Sequence, residues 1–212
     1  MSQIYFISGI DTNIGKTYAV GFLAAKFAKE GKKVITQKPI QTGCIDVAED
    51  IVHHRKMMGI DLLPEDINRL TMPVVFTYPA SPHLAAKIDN QAIDFEKIDK
   101  ATKILRENYD IVLIEGAGGL MVPFTEEYLL IDYVAERNFP IILVTSGRLG
   151  SINHTLLSFE AIENRGLTLH SVIYNLFDEN PDPIISNDTL AYLQKVMQKR
   201  FPEAELMVLG HL

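Results

Sequence analysis

Cysteine is nearly absent: Cys44 is the single one in 212 residues. That excludes a disulfide framework and a cysteine-based zinc site, and it fits a reducing compartment. Basic charge is also in deficit, with 20 Lys and Arg against 27 Asp and Glu and a formal net charge of −7. A chain without cationic excess cannot neutralise a phosphate backbone broadly, so nonspecific nucleic-acid binding is excluded. An anionic substrate would need a local positive site instead of a global field. No apolar run approaches the roughly 20 residues of a membrane span. The opening Met1-Ser2-Gln3-Ile4 lacks the basic start and apolar stretch of a signal peptide. Internal repeats and low-complexity tracts are missing too. The expectation from these absences is a cytoplasmic protein with neither nucleic acid nor membrane as a partner.

What the chain does have is apolar content, 47% of residues, enough for a full core and for one domain spanning residues 1–212. Short runs rich in β-branched residues read as strands at Ile4–Ser8, Lys33–Gln37, Asp110–Ile114, Pro140–Thr145, Ser171–Tyr174 and Leu206–Leu209. Their lack of alternation suits strands covered on both faces, as in a parallel sheet. Helical spacing appears between them at Lys16–Glu30, Val47–Met58, Phe95–Asn108, Ser151–Asn164 and Asn187–Arg200. In the first of these, Val20, Leu23, Ala24 and Phe27 share a face before Gly31 ends the pattern. Alternating strands and helices predict an α/β fold with a mostly parallel central sheet and helices on both faces. The proline-rich Leu62–Pro82 reads as an ordered surface excursion, in which Met72–Phe76 can still pack. Ligands of such sheets sit at the carboxyl ends of the strands, so the residues just after each strand carry the functional reading.

The first strand runs into Gly9-Ile-Asp-Thr-Asn-Ile-Gly15-Lys16-Thr17 and then a helix. Strand, glycine-rich loop, Gly-Lys-Thr and helix, in that order, are what a phosphate-binding P-loop requires. Glycines let the backbone wrap a phosphate, inward N–H groups and the helix N-terminus attract it, Lys16 reaches the β and γ phosphates, and Thr17 can ligate magnesium. Gly9 and Gly15 are one residue farther apart than in the common pattern, so the competing reading is an ordinary turn with a surface lysine. The strand ending at Ile114 delivers Glu115 before Gly116-Ala-Gly-Gly119. That is the position of a Walker B acid, which holds magnesium directly or through water. The second strand ends in Lys38-Pro-Ile-Gln-Thr-Gly43, placing a lysine where it could stabilise charge developing during transfer. His53 and His54 are neighbours on a predicted helix and cannot form a facing pair. They are read as structural; so is His83, which sits in the Ser-Pro-His block where it could also help shape the substrate channel. Cys44 has no apparent partner base and is read as non-catalytic.

Four blocks in order, Gly9–Thr17, Lys38–Gly43, Glu115–Gly119 and Gly147–His154, resemble the dethiobiotin synthetases, with a weaker fifth at Pro79–His83. They cover most of the chain up to about Asn175, and the long glycine spacing of the P-loop is that family's own. The resemblance implies ATP- and Mg2+-dependent ring closure of 7,8-diaminononanoate with CO2 or bicarbonate. The reaction passes through a carbamate and a carbamic-phosphoric mixed anhydride, in a homodimer. It implies Lys38 and Lys16 as catalytic residues, and Thr17, Asp50 and Glu115 around magnesium. Asn13, Ile14, Gly15, Lys16, Thr17 and Tyr18 are expected around the nucleotide, with Asp50, Glu115 and the purine-reading Asn175. On the substrate side it implies Thr12, Thr42, Ser81 and Gly118, together with Gly150, Ser151, Asn153 and Tyr192. Of this last group, the helix start at Arg148–Asn153 is expected to receive the substrate carboxylate across the dimer interface. The stretch Phe177–Pro183 is longer than the family pattern, and Val208–Leu212 is expected to stand in for the purine-side segment, with base selectivity left open. The alternative class is a P-loop switch ATPase of the partition or septum-positioning type. Such proteins carry an extra lysine early in the loop, where this chain has Ile10, Asp11 and Thr12.

Overall fold

The computed structural model describes residues 2–177 and 182–210. Most of the lengthened stretch after Phe177, and the last two residues of the Val208–Leu212 ending, therefore lie outside the described residues. The central sheet comprises β1 (Gln3–Gly9), β2 (Val34–Gln37), β5 (Ile111–Gly119), β6 (Ile141–Ser146), β7 (Leu169–Asn175) and β8 (Glu205–Leu209). Their spatial order is β2-β5-β1-β6-β7-β8, and every pairing is parallel. A separate parallel pair joins β3 (Ile40–Thr42) to β4 (Val74–Phe76). The strand runs expected from sequence are all strands. They are apolar without alternation because both faces are covered: Val112, Leu113, Ile114, Ile142, Leu143 and Val144 are all buried.

The helices are α1 (Lys16–Lys29), α2 (Glu49–Met58), α3 (Pro64–Ile67), α4 (Pro82–Ile88), α5 (Phe95–Asn108), α6 (Leu130–Glu136), α7 (Ser151–Glu163) and α8 (Pro183–Arg200). They lie on both faces of the sheet. The α1 helix packs against β1, β2, β5 and α2, whereas α7 packs on β6 and α8. Asp94 caps α5 by accepting from the Lys97 N–H at 2.8 Å.

Two boundaries differ from the sequence reading for local reasons, and one segment is more structured than expected. The α8 helix begins at Pro183, not at Asn187. Asp182 accepts from the N–H groups of Ile184 and Ile185, and proline at the first helical position costs no hydrogen bond. The β5 strand does not stop at Glu115 but runs on through the glycines to pair Gly119 with Gly9. A Cβ on Gly119 would stand 3.2 Å from the Gly9 carbonyl oxygen, so any side chain there would push the two strands a few tenths of an ångström apart. The Leu62–Pro82 excursion is ordered, as expected, but more structured than the reading implied: it holds α3 and β4 and buries Met72, Val74 and Phe76.

Candidate nucleotide and substrate site

The loop between β1 and α1 turns on Asn13 (φ 56°) and Gly15 (φ 94°). Gly15 caps α1 in the left-handed region, and a Cβ there would fall 2.3 Å from Nδ2 of Asn175. Both constraints demand glycine. Asn175, at the end of β7, donates from Nδ2 to the Ile14 carbonyl at 3.0 Å and accepts on Oδ1 from the Phe177 N–H at 3.1 Å. Both ends of the amide expected to face a purine are thus engaged by protein, and the side chain pins the loop. Beside it, Tyr18 stacks on Phe177 with ring centres 5.6 Å apart and tilts against His53 at 5.7 Å. At the loop's opening, Lys16 donates to the Asp11 carbonyl at 3.0 Å, and the Asp11 carboxylate pairs with Arg148.

Sheet register brings the charged residues together. Gln37 pairs with Ile114, so the next residues, Lys38 and Glu115, stand side by side at the carboxyl ends of β2 and β5. Lys38 Nζ lies 2.9 Å from Glu115 Oε1 and 2.8 Å from Asp50 Oδ2, and donates to the Gly116 carbonyl at 3.3 Å. The Thr17 hydroxyl is 2.8 Å from Asp50 Oδ1 and 3.1 Å from Glu115 Oε1. Of the two acids opening α2, Glu49 is exposed and Asp50 faces this cluster. The three residues expected around magnesium therefore converge with Lys38 on one point at the start of α1.

The electrostatics follow from burial and pairing. Burial alone would push the Glu115 carboxyl up. The Lys38 ammonium and a hydrogen bond from His54 outweigh it and hold the group well below the carboxylate range. Burial would likewise pull Lys38 down, but Glu115 and Asp50 raise it above the usual lysine value. Lys16 lacks such close partners, and burial, aided by the neighbouring Lys38 charge, pushes it down to about 8.

Thr12, Thr42, Ser81 and Gly118 line one cavity of about 390 Å3, with Pro79 and Val122 among its walls. Four substrate-side residues from four separate segments thus share a pocket beside Lys38 and the P-loop. Gly150 and Asn153 do not join them. They line a different cavity, of about 650 Å3, with Leu149, Ile152, Ile184 and Asp188. Ser151, the first residue of α7, is fully buried, its hydroxyl 3.1 Å from that of Ser146. Tyr192 is exposed on α8, one turn beyond Asp188. A cavity of comparable size, about 400 Å3, lies at the opposite end of the sheet among Ile4, Asp99, Arg106 and Arg137, so size alone does not single out a site.

His54 is the residue that sequence reasoning underrated. It is buried, with Nε2 2.9 Å from Glu115 Oε2 and Nδ1 3.0 Å from Thr36 Oγ1. Its position four residues after Asp50 on the same helix face was a usable signal. The buried pair Arg55–Asp66 behind it had no such signal.

A central parallel sheet, a strand–Gly-Lys-Thr–helix loop and an acid on the neighbouring strand define a P-loop nucleotide-binding protein. A family model described as an AAA domain matches residues 3–212. The chain is 51% identical over 202 residues to the ATP-dependent dethiobiotin synthetase BioD 2 of Pasteurella multocida, covering 95% of this chain and 94% of that protein. It is 56% identical over 179 residues to the enzyme of the same name from Haemophilus influenzae, covering 84% and 94%. It is 47% identical over 208 residues to the ATP-dependent dethiobiotin synthetase of Chlorobaculum tepidum, covering 98% and 87%. The chain belongs to the dethiobiotin synthetase family of ATP-dependent biotin-biosynthetic ligases. Among solved structures, a putative plasmid partition protein of Borrelia burgdorferi bound to AMPPNP superposes with a TM-score of 0.55 at 11% identity. The match covers 99% of this chain and 88% of that one. This likeness is one of fold. No helix among the described residues is long and apolar enough to cross a membrane.

Proposed function

We propose that this single domain, in the cytoplasm, closes the ureido ring of dethiobiotin from 7,8-diaminononanoate, CO2 and ATP, with Mg2+. The observation that carries the reading is the convergence of Lys38, Thr17, Asp50 and Glu115 beside the cavity lined by Thr12, Thr42, Ser81 and Gly118.

One amine of the substrate takes up CO2 as a carbamate. A carbamate oxygen attacks the γ-phosphorus as the bond to the β–γ bridging oxygen breaks and ADP leaves. The second amine then attacks the carbamoyl carbon, the ring closes, and inorganic phosphate departs. Carbamate and triphosphate are both anionic, so bringing them together requires positive charge fixed in place before reaction. Lys38 would contact the carbamate and γ-phosphoryl, with Lys16 on the β and γ phosphates. The P-loop backbone from Asn13 to Tyr18 would cradle the phosphates. Thr12, Thr42, Ser81 and Gly118 would orient the diamine.

The donor set Thr17, Asp50 and Glu115 is all hard oxygen, which fits Mg2+. These two carboxylates and one hydroxyl would hold the ion, with water and phosphate oxygens as its further ligands. When bound, the ion neutralises charge developing on the phosphoryl oxygens. Gly150, Ser151, Asn153 and Tyr192 lie apart from the Thr12 cavity. That separation supports a homodimer in which one protomer's α7 start receives the carboxylate of a substrate held by its partner. Asn175 would release the Ile14 carbonyl to read the base.

Incubation with diaminononanoate, bicarbonate, Mg2+ and ATP should yield dethiobiotin, detected by mass. No product under conditions where a known enzyme turns over would refute the reading.

A further inference from the structure

We propose that His54 is a positioning residue that fixes the rotation of the Glu115 carboxylate, so that one oxygen is reserved for the metal site. The inference rests on the reading of Glu115 as a metal ligand given above.

The two oxygens of Glu115 are divided between different partners. Among the described residues, Oε2 meets only His54 Nε2, at 2.9 Å, while Oε1 faces Lys38 at 2.9 Å and the Thr17 hydroxyl at 3.1 Å. The terminal torsion of a glutamate is soft, so a carboxylate without a lateral partner swings broadly. A hydrogen bond on Oε2 removes that freedom and leaves Oε1 aimed at Thr17 and Asp50.

The direction of the His54 bond is set by Glu115: an ionised carboxylate only accepts, so Nε2 carries the proton that meets Oε2. On the far side of the ring, Nδ1 lies 3.0 Å from Thr36 Oγ1, and Arg55 Nη1 donates to that same oxygen at 2.9 Å. Thr36, itself held by Arg55, thus fixes the ring from behind. Arg55 is itself held by Asp66 through two contacts of 2.8 Å, and Asp66 also accepts from Thr71 at 2.8 Å and the Leu63 N–H at 2.8 Å. The resulting series Asp66–Arg55–Thr36–His54–Glu115 is buried throughout. It ties the excursion that holds Asp66 to the metal-site acid, as outer-shell partners do in metal sites generally.

The test is metal-dependent nucleotide binding, measured by titrating Mn2+ into protein with a non-hydrolysable ATP analogue and following free Mn2+ by electron paramagnetic resonance. His54→Leu should raise the Mn2+ midpoint by about 10- to 100-fold, the range for outer-shell partners. Its metal-free nucleotide affinity should stay within about threefold. His54→Gln, whose amide N–H can take the place of Nε2–H, should recover most of the loss. Thr36→Val, which frees Nδ1 while leaving the imidazole in place, should shift the midpoint in the same direction by less. A folded His54→Leu with a wild-type midpoint would overturn the proposal, as would a His54→Gln no better than His54→Leu. Should His54→Leu fail to fold, His54→Gln against Thr36→Val decides: a wild-type midpoint in Thr36→Val overturns the proposal, and a raised one with His54→Gln near wild type supports it. Glu115→Gln separates this inference from the reading beneath it. If Glu115→Gln leaves Mn2+ binding intact, the assignment of Glu115 as a metal ligand fails. If it abolishes binding while His54→Leu does not, only the role of His54 fails.

Discussion

The Lys38 ammonium lies 2.9 Å from Glu115 Oε1, joining the carboxyl ends of two neighbouring parallel strands. The contact is a consequence of register, since Gln37 pairs with Ile114 and the next residue on each strand must be adjacent. Replacing Lys38 by Ala removes the fixed positive charge at the point where carbamate and γ-phosphoryl would meet. We expect kcat for dethiobiotin formation to fall by about 100- to 1,000-fold, the cost of losing one preorganised charge-stabilising donor. Nucleotide affinity, set mainly by the P-loop, should change by less than about tenfold. Steady-state kinetics paired with calorimetry checks both, and full activity in the variant would remove Lys38 from the mechanism.

Gly15 is constrained twice, by φ of 94° and by Asn175 2.3 Å from where a Cβ would sit. Gly15→Ala should lose about 1–3 kcal/mol of stability from backbone strain. It should also bind nucleotide at least about tenfold more weakly as the loop shifts. Urea unfolding and nucleotide titration report the two effects separately. Unchanged affinity would mean the loop tolerates the displacement of Asn175.

Arg55 and Asp66 form a buried pair with paired contacts of 2.8 Å. Removing one partner leaves an uncompensated charge in the core, so Arg55→Met should destabilise by about 3–5 kcal/mol. The double variant Arg55→Met with Asp66→Leu should recover part of that loss, because it removes both charges. A single variant that unfolds at the wild-type urea concentration would show that the pair contributes little.

His170 packs edge-on against the Tyr5 ring, with centres 4.5 Å apart. Burial lowers its proton affinity below the usual histidine value, with Glu205 opposing the shift. The unfolded chain therefore takes up a proton near pH 6.5 before the folded chain does. Its contribution is intact above that pH and is lost as pH falls through the window between 6.5 and the lower folded value. His170→Phe should lose less stability than wild type between pH 7.5 and 5.5, read as urea midpoints. Equal losses in the two proteins would place the acid sensitivity elsewhere.

Much of this molecule is legible in its sequence because its signals are local. The strands announce themselves as β-branched runs, and the P-loop is one contiguous segment. Lys38 and Glu115 follow their strands directly, so a parallel sheet puts them on one rim. What escaped detection is non-local or chemically ambiguous. Five of the seven residues of α6, Leu130–Glu136, are apolar or aromatic, with β-branched Ile131 and Val134 among them, and its entry is marked only by Asp132 accepting from the Leu129 N–H at 3.1 Å. The β3–β4 pair joins segments on either side of α2 and α3, too short to show a period. His54 reads as a core histidine, which it is. Its spacing from Asp50 places it on the cluster-facing side of α2, but the partner it meets, Glu115, is 61 residues away in the chain and no local pattern points to it.

The strand order has a consequence for how the protein is made. In the central sheet β1 neighbours only β5 and β6, and β2 neighbours only β5. The first two strands to leave the ribosome therefore have no sheet partner until β5 arrives. Thr17 and Glu115 are 98 residues apart, which at about 5–20 residues per second is roughly 5–20 s of synthesis. For that interval the nascent chain carries a phosphate loop on an unpaired strand. The emergence of Ile111–Gly119 is then the event that both seeds the sheet and delivers the acid its lysine awaits.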